Sequence, residues 1–276
     1  RHACRAAKKQ SRLPHPILFC GPPGLGKTTL ARAVATESDA PFIETCGPAV
    51  ESIDDLLVPD GTVLFIDEIH GMPRPVAELF YDVMDRREIC VIGATTDPDR
   101  MPRPLRDRFG PPQELMHYDE EELSDIITRA ADLPVDRTAA RKLAHASMGT
   151  PRKAKALLSS LQDRVISMAE ADPHIDDGAV HAMLDAKGID ERGLGPRHRE
   201  VLELLESSGR PIGRKSLAHR LNLEPRVLER TVLPELLFVG AVDVTRRGIA
   251  AIRRYPHVRD DGYRCGEPEM RWGLAG

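Results

Sequence analysis

The stretch Gly21-Pro-Pro-Gly-Leu-Gly-Lys27-Thr28-Thr29 decides the fold class of this chain. It fits the pattern G-x-x-x-x-G-K-S/T and follows the apolar run Ile17-Leu-Phe-Cys20, which predicts a buried strand that turns into a helix through a phosphate-binding loop. The glycines allow consecutive backbone N–H groups to point at the β- and γ-phosphates, and the helix adds the positive end of its dipole. Lys27 adds a positive charge, and the Thr28 hydroxyl is placed to bind Mg²⁺. We therefore predict a site for a nucleoside triphosphate.

A second motif, Val63-Leu-Phe-Ile-Asp67-Glu68, places two carboxylates after four apolar residues. Such a run suits a strand buried on both faces of a parallel sheet, and ligands bind at the carboxyl end of such strands. Asp67 is predicted to hold the metal through its water shell, and Glu68 to orient or deprotonate an attacking water. The alternative is that the pair merely opens a helix, where acidic residues interact favourably with the dipole. The phosphate-binding loop upstream favours the catalytic interpretation.

Composition limits the classes of protein that this chain can belong to. A length of 276 residues predicts two or three domains. Hydrophobic residues make up 41% and charged residues 30%, without a long uncharged apolar stretch, so we expect no membrane span, no secretory signal and a cytoplasmic location. The five cysteines include no C-x-x-C pair, which favours small core residues in a reducing compartment over a zinc site.

Alternating apolar runs and helical patterns up to Leu115 predict an α/β domain, with a parallel sheet and helices on both faces. From Asp119, which resembles a capped helix start, to about Asp185 only helical patterns follow. We predict a P-loop ATPase domain at 1–117, a helical lid at 118–188, a winged helix-turn-helix domain at 189–258 and a flexible tail at 259–276.

The predicted winged helix consists of three helices and two β-like runs, Phe238–Val242 and Ile249–Ile252, joined by a basic tip. Between Ile189 and Pro256 there are 13 Lys and Arg against 9 Asp and Glu, although the whole chain has a net charge of −4. Clustered arginines suit contact with DNA phosphates. The predicted DNA-binding residues are Arg226, Arg230, Arg246, Arg247, Arg253 and Arg254. Alternatively, the module docks proteins, and its arginines pair with Glu224, Glu229 and Glu235.

Further catalytic candidates follow the second motif. Thr96 ends the apolar run that begins at Cys90, where its hydroxyl could position water against the γ-phosphate. Arg106 and Arg108 are predicted to share a short helix from which they reach a neighbouring subunit's nucleotide. Arg152, after Gly149-Thr-Pro, is expected to touch the γ-phosphate from the helical domain. Each arginine could instead form a surface salt bridge.

Together these motifs resemble the AAA+ ATPases, and more closely the RuvB family. The stretches that carry the resemblance are Gly21–Ala31, Cys46–Ala49, Val63–His70, Ile92–Thr96, Pro104–Gly110, Gly149–Arg152 and the region ending Arg246-Arg247-Gly248. The resemblance implies ATP and Mg²⁺ as ligands, a hexameric ring around duplex DNA, and translocation that drives Holliday junction branch migration. It implies Thr96 as the first sensor, Arg108 as the trans-acting finger with Arg106 as its alternate, and Arg152 as the second sensor. The predicted nucleotide-binding residues are Gly21, Pro22, Pro23, Gly24, Leu25, Gly26, Lys27, Thr28, Thr29, Asp67 and Arg152.

The chain departs from the family pattern in three places. Only Asp85-Arg-Arg-Glu88 separates a predicted helix from the next strand, which is too short for the β-hairpin that docks the partner RuvA. The family's adenine-contacting segment is expected upstream of Arg1, so we expect that base recognition comes from elsewhere or that the chain is a fragment, and the connection from Ala49 to Gly61 looks compressed. Coupling to RuvA is therefore an open question. The alternative function is an ATP-switched DNA-binding or adaptor protein that does not translocate.

Overall fold

The computed structural model describes Ala7 and residues 13–168, 172–190 and 192–252. The chain divides into two compact units, Arg1–Gly195 and Pro196–Gly276. The predicted domain boundaries after residues 117, 188 and 258 remain predictions. Arg253, Arg254 and the predicted tail lie outside the described residues. Within the described ranges, every helix is too short or too polar to cross a lipid bilayer.

Five strands of the first unit form one parallel sheet in the order β2-β3-β4-β1-β5. The strands are β1 (Ile17–Cys20), β2 (Phe42–Cys46), β3 (Val63–Asp67), β4 (Cys90–Thr95) and β5 (Gln113–Glu114). The register sets Ile17 opposite Ile92 and Val63 opposite Cys90. Because parallel strands end at one edge of a sheet, the residues that follow β1, β3 and β4 lie near one another. The predicted α/β class with a parallel sheet is confirmed.

Apolar cores lie on both faces of this sheet because alternate strand residues point to opposite sides. Within residues 13–117 the helices are α1 (Lys27–Ser38), α2 (Arg74–Arg86) and the short α3 (Arg103–Arg106), with tight turns at Gly47–Ala49, Ile53–Leu56, Ile69–Gly71 and Pro98–Arg100. Leu64 and Ile66 of β3 share a buried cluster with Phe80 of α2, whereas Phe65 shares another with Ala31 of α1. Burial on both faces explains why β3 is a continuous apolar run.

Four helices follow the sheet in the described residues between 118 and 190. They are α4 (Glu120–Ala130), α5 (Arg137–Ala146), α6 (Pro151–Met168) and α7 (Asp177–Ala186). Asp119 begins α4 as predicted: its carboxylate accepts the N–H of Glu122 at 2.7 Å, and the Glu122 carboxylate accepts the N–H of Asp119 at 3.1 Å. This reciprocal capping box satisfies two backbone donors at the helix start. Leu123, Ile127 and Leu143 are buried in a core that these helices share.

The second unit consists of helical segments followed by a β-hairpin. These elements are α8 (Pro196–Ser208), α9 (Arg214–Arg220), α10 (Pro225–Val227), a π-helical turn (Leu228–Val232), α11 (Leu233–Phe238), β6 (Val242–Thr245) and β7 (Gly248–Ala251). The two strands are antiparallel, and Thr245 pairs with Gly248. Arg246 and Arg247 therefore form the two-residue turn at the tip of the hairpin.

The strand predicted at Phe238–Val242 is wrong in all but its last residue. Helix α11, in which Leu236 is buried, continues to Phe238. The chain then leaves the helix through Gly240, which has a φ of 68°. The strand then begins at Val242. A short apolar run suits a buried helix end as well as a strand, so its periodicity could not separate the two. Assignment of this unit as a winged helix remains a prediction.

Candidate nucleotide-binding site

The loop between β1 and α1 has the backbone that its glycines predict. Gly24 has a φ of 85° and Gly26 one of 93°, in the left-handed region that L side chains rarely adopt. A Cβ on Gly21 would lie 2.6 Å from the carbonyl oxygen of Leu115, so that position admits only glycine without a shift of the backbone. The loop and the start of α1 at Lys27 therefore have the form of a phosphate cradle.

Lys27 is buried beneath this loop, with 7% of its surface exposed. Its Nζ donates to the carbonyl oxygens of Gly21 at 2.8 Å and Pro22 at 2.9 Å. Burial lowers the pKa of Lys27 below the ordinary lysine value, although the nearby Asp67 and Glu68 carboxylates act in the opposite direction. A buried cation held mainly by neutral carbonyls is suited to an anionic ligand, because phosphate oxygens would supply the missing negative charge.

A cavity of about 360 Å³ lies over this loop. Its lining residues are Pro23, Gly24, Gly26, Lys27, Thr28, Thr29, Asp67, Glu68, Pro151, Arg152 and Lys155. Of the other predicted nucleotide contacts, Leu25 is fully buried, while Gly21 and Pro22 serve as acceptors for Lys27. The Thr28 hydroxyl and the Asp67 carboxylate fit the preference of Mg²⁺ for a few protein oxygens together with phosphate and water.

Glu68 has an unusual backbone conformation for a residue with a side chain. Its φ of 46° and ψ of 44° are left-handed, and its N–H donates to Oδ1 of Asp67 at 2.9 Å. Its side chain makes no capping hydrogen bond to the turn that follows. Instead Oε2 of Glu68 accepts a hydrogen bond from Oγ1 of Thr96 at 3.1 Å. This geometry disfavours the alternative that Asp67 and Glu68 merely start a helix, and it brings Thr96 to the predicted base.

The start of α6 closes the cavity from the helical part of the same unit. The N–H of Arg152 donates to the carbonyl of Gly24 at 3.3 Å, and the hydroxyl of Tyr118 donates to that of Leu25 at 3.3 Å. Arg152 is exposed and lines the cavity, and its contact with the γ-phosphate remains a prediction. Lys155 also lines the cavity and was not predicted. Its spacing of three residues from Arg152 on one helix was the available signal.

Arg106 and Arg108 lie outside the cavity lining. The expectation that both share one short helix is wrong, because α3 ends at Arg106 and Arg108 follows in the turn. Arg106 lies 3.7 Å from Oδ1 of Asp99, and Arg108 forms an ion pair with Asp85 at 2.8 Å. Both arginines therefore have partners in their own subunit, as the salt-bridge alternative anticipated. Their role at a neighbour's nucleotide remains a prediction.

The predicted DNA-binding arginines of the second unit are exposed where they are described. Arg226 lies on α10, Arg230 in the π-helical turn, and Arg246 and Arg247 at the tip of the hairpin. Over residues 196–252, none of these four side chains forms an ion pair with an acidic residue. The pairing of these arginines with Glu224, Glu229 and Glu235, which the alternative predicted, is therefore not observed, and their contact with DNA remains a prediction.

Comparison with known proteins decides the family. A model of the ATPase family associated with various cellular activities (AAA) matches residues 17–115, and a model of the RuvB AAA lid domain matches residues 118–190. The Holliday junction branch migration complex subunit RuvB of Corynebacterium aurimucosum is 36% identical, over 91% of this chain and 78% of that protein. The chain belongs to the RuvB family. The RuvB protein of Clavibacter michiganensis subsp. michiganensis is 38% identical over 89% of this chain and 76% of its own length.

Solved RuvB structures have the same fold. The Thermotoga maritima RuvB Holliday junction branch migration motor superposes with a TM-score of 0.83 at 35% identity, covering 91% of this chain and 89% of that chain. The resemblance inferred from the motifs is thus confirmed. As a member of the RuvB family, the chain is an AAA ATPase that uses ATP with Mg²⁺.

Proposed function

We propose that this protein is an ATP-driven DNA translocase of the RuvB type, which moves duplex DNA to drive Holliday junction branch migration in recombination and repair. The observation that carries the proposal is one cavity shared by the buried Lys27, the Asp67–Glu68 pair and the two cations at the start of α6. The names of the relatives, subunits of the Holliday junction branch migration complex, supply the substrate. We expect the protein to act in the cytoplasm.

Each residue of the cavity has its own role in ATP hydrolysis. Lys27 and the loop N–H groups hold the β- and γ-phosphates, while Thr28 and Asp67 would hold Mg²⁺, which neutralises phosphate charge when bound. Glu68 orients the attacking water and accepts its proton. Arg152 carries positive charge to the γ-phosphate from the helical part. Loss of that phosphate therefore removes an attraction between two parts of one unit, which couples turnover to movement.

The partners follow from the same assignment. We propose a homo-oligomeric ring, a hexamer by analogy with the family, in which Arg108 acts on the neighbouring subunit's nucleotide. Duplex DNA is bound by a winged helix in the second unit through its exposed arginines. Helix α2 ends at Arg86 and β4 begins at Cys90, so the described chain has no β-hairpin between them. We therefore propose that the motor engages the junction without the RuvA contact that such a hairpin provides.

Steady-state ATPase measured with and without four-way junction DNA, at two salt concentrations, tests this function. A motor is expected to hydrolyse ATP faster with junction DNA and to convert a labelled junction into its branch-migrated products without RuvA. Glu68→Gln should bind ATP but fail in both assays. Slow ATP turnover that junction DNA does not stimulate would instead support the ATP-switched adaptor, and retained turnover in Glu68→Gln would remove Glu68 from the chemistry.

A further inference from the structure

We infer that His70, held by Thr95, positions the carboxylate of Glu68 for catalysis. This inference rests on the proposed role of Glu68 as the base. Nδ1 of His70 lies 3.2 Å from Oε2 of Glu68 and 2.9 Å from Oγ1 of Thr95. The His70 side chain is only 6% exposed, and Thr95 is fully buried at the end of β4. A buried imidazole between these two groups has little freedom to turn.

The donors and acceptors that each group carries set the direction of these hydrogen bonds. An ionised carboxylate can only accept, so a nitrogen at this distance from Glu68 is satisfied when it carries a hydrogen. Oγ1 of Thr95 already accepts the N–H of Asp97 at 3.0 Å. The carboxylate therefore favours the tautomer with hydrogen on Nδ1, and the Thr95 hydroxyl, which has two lone pairs, can accept that N–H as well as the N–H of Asp97. Thr95 then fixes the ring plane, and the ring directs one donor at the base.

The two threonines at the carboxyl end of β4 contact Glu68 differently. Thr95 is the last residue of β4 and Thr96 is the first residue after it. Thr96 donates directly to Oε2, and Thr95 acts on the same oxygen through His70. In the described chain no hydrogen bond reaches Oε1 of Glu68. That oxygen is therefore the one left to accept a proton from water, while Oε2 is anchored.

The backbone around Glu68 brings His70 back to it. The carbonyl of Glu68 accepts the N–H of Gly71 at 2.8 Å, which closes the turn and returns His70 toward the carboxylate. A Cβ on Gly47 would lie 2.5 Å from that same carbonyl oxygen, so the loop after β2 also packs against Glu68. The left-handed backbone at Glu68 is thus supported on two sides. Strain of this kind is maintained at sites where geometry matters for function.

Three substitutions of His70 distinguish a role in positioning the Glu68 carboxylate from a role in packing alone. The amide nitrogen of Asn can replace Nδ1, whereas that of Gln lies nearer the place of Nε2. We expect His70→Ala and His70→Gln to lower kcat for ATP hydrolysis about tenfold or more, with KM for ATP within about twofold, because partners of a catalytic group orient it without contacting substrate. His70→Asn should recover most of the lost kcat. Equal kcat values for the Asn and Gln variants would overturn the inference, as would a loss confined to KM.

Thr95 provides a second and independent test. Thr95→Val keeps the shape of the side chain but removes the hydroxyl, and it should lower kcat in the same manner, whereas Thr95→Ser should not. Thermal unfolding of every variant identifies those that do not fold, and the Asn and Gln pair decides the matter if His70→Ala is one of them. Glu68→Gln serves as a separate control: if it hydrolyses ATP at the wild-type rate, the proposed function fails whatever the His70 variants show.

Discussion

Arg108 and Asp85 form a bidentate ion pair within one subunit. Nε of Arg108 lies 3.0 Å from Oδ1 of Asp85, and Nη2 lies 2.8 Å from Oδ2. The third nitrogen, Nη1, donates to the carbonyl of Pro104 at 2.9 Å, and the guanidinium carbon lies 4.3 Å from the centroid of the Tyr81 ring. The pair is part exposed, with 27% of the arginine and 56% of the aspartate side chain accessible. Because the pair is partly exposed, solvent screens its charges, and we expect that a neighbour's phosphate can compete with Asp85 for Arg108.

The first prediction is that Arg108→Ala and Lys27→Ala subunits complement each other. Neither variant should hydrolyse ATP alone, because each lacks one part of every composite site. A mixed ring contains sites with Lys27 from one subunit and Arg108 from the next, so an equal random mixture should regain about a quarter of wild-type ATPase. Arg106→Ala in place of Arg108→Ala is the matched control. Mixed rings that form but stay inactive would show that Arg108 does not act across the boundary.

The second prediction compares two glycines with similar backbone. Gly24 has a φ of 85° and Gly61 one of 81°, so alanine costs each about 1 kcal/mol of backbone strain. A Cβ on Gly24 would lie 2.9 Å from Cγ2 of Thr150 and 3.0 Å from Cβ of Arg152, whereas Gly61 has open space. Gly24→Ala should therefore weaken ATP binding by on the order of tenfold, because α6 is displaced from the loop. Gly61→Ala should bind ATP normally, and equal losses measured by calorimetry would refute this contact.

The motifs of the first unit were predictable because their signals are local. Strands buried on both faces are continuous apolar runs, and the backbone of a phosphate-binding loop requires glycine at fixed positions. His70 gave no such signal, since its role depends on Thr95, which is distant in sequence and close only in the fold. The contact between Arg108 and Asp85 is likewise set by the packing of α2 against the turn after α3. Contacts of this kind need the tertiary structure.

The end of α11 shows a second limit of sequence reasoning. The apolar run that begins at Phe238 fits a strand when the sequence is taken alone. In the second unit the segment up to Phe238 is instead the end of a helix, in which Leu236 is buried. Lys155 was missed for a different reason. Its helix was predicted correctly, yet which face of α6 meets the phosphate-binding loop depends on the contact between Arg152 and Gly24.

The third prediction concerns the pH dependence of ATP binding. Burial lowers the pKa of Lys27 in the ATP-free protein, so this side chain loses its proton at a lower pH than an ordinary lysine with a pKa of about 10.4. Phosphate favours the charged form and raises that pKa again. ATP affinity should therefore fall as the pH rises through the lowered pKa, and binding in that range should take up protons. Calorimetry in buffers of different ionisation enthalpy measures the uptake, and constant affinity up to the ordinary lysine pKa would contradict it.

The fourth prediction assigns Lys155 to the triphosphate. Its side chain lines the cavity one helical turn after Arg152, at a distance along α6 where both can face one ligand. Lys155→Ala should raise KM for ATP roughly fivefold, as expected for loss of one exposed contact of about 1 kcal/mol, and should affect ADP less. Arg152→Ala should lower kcat as well. Lys153→Ala is the control outside the cavity lining, and an equal effect of Lys153→Ala would remove the specific role of Lys155.

The fifth prediction tests DNA contact at the tip of the hairpin. Arg246 and Arg247 form an exposed two-residue turn, so both can reach phosphates of a duplex. Each contact should contribute about −0.9 to the slope of log K against log salt, so the double alanine variant should reduce the magnitude of that slope by about 2, with little change in sequence preference. Arg197→Ala is the matched control, because Arg197 pairs with Glu200 at 3.0 Å in the same unit. If that variant changes the slope as much per charge removed, then net charge and not the hairpin governs binding to DNA.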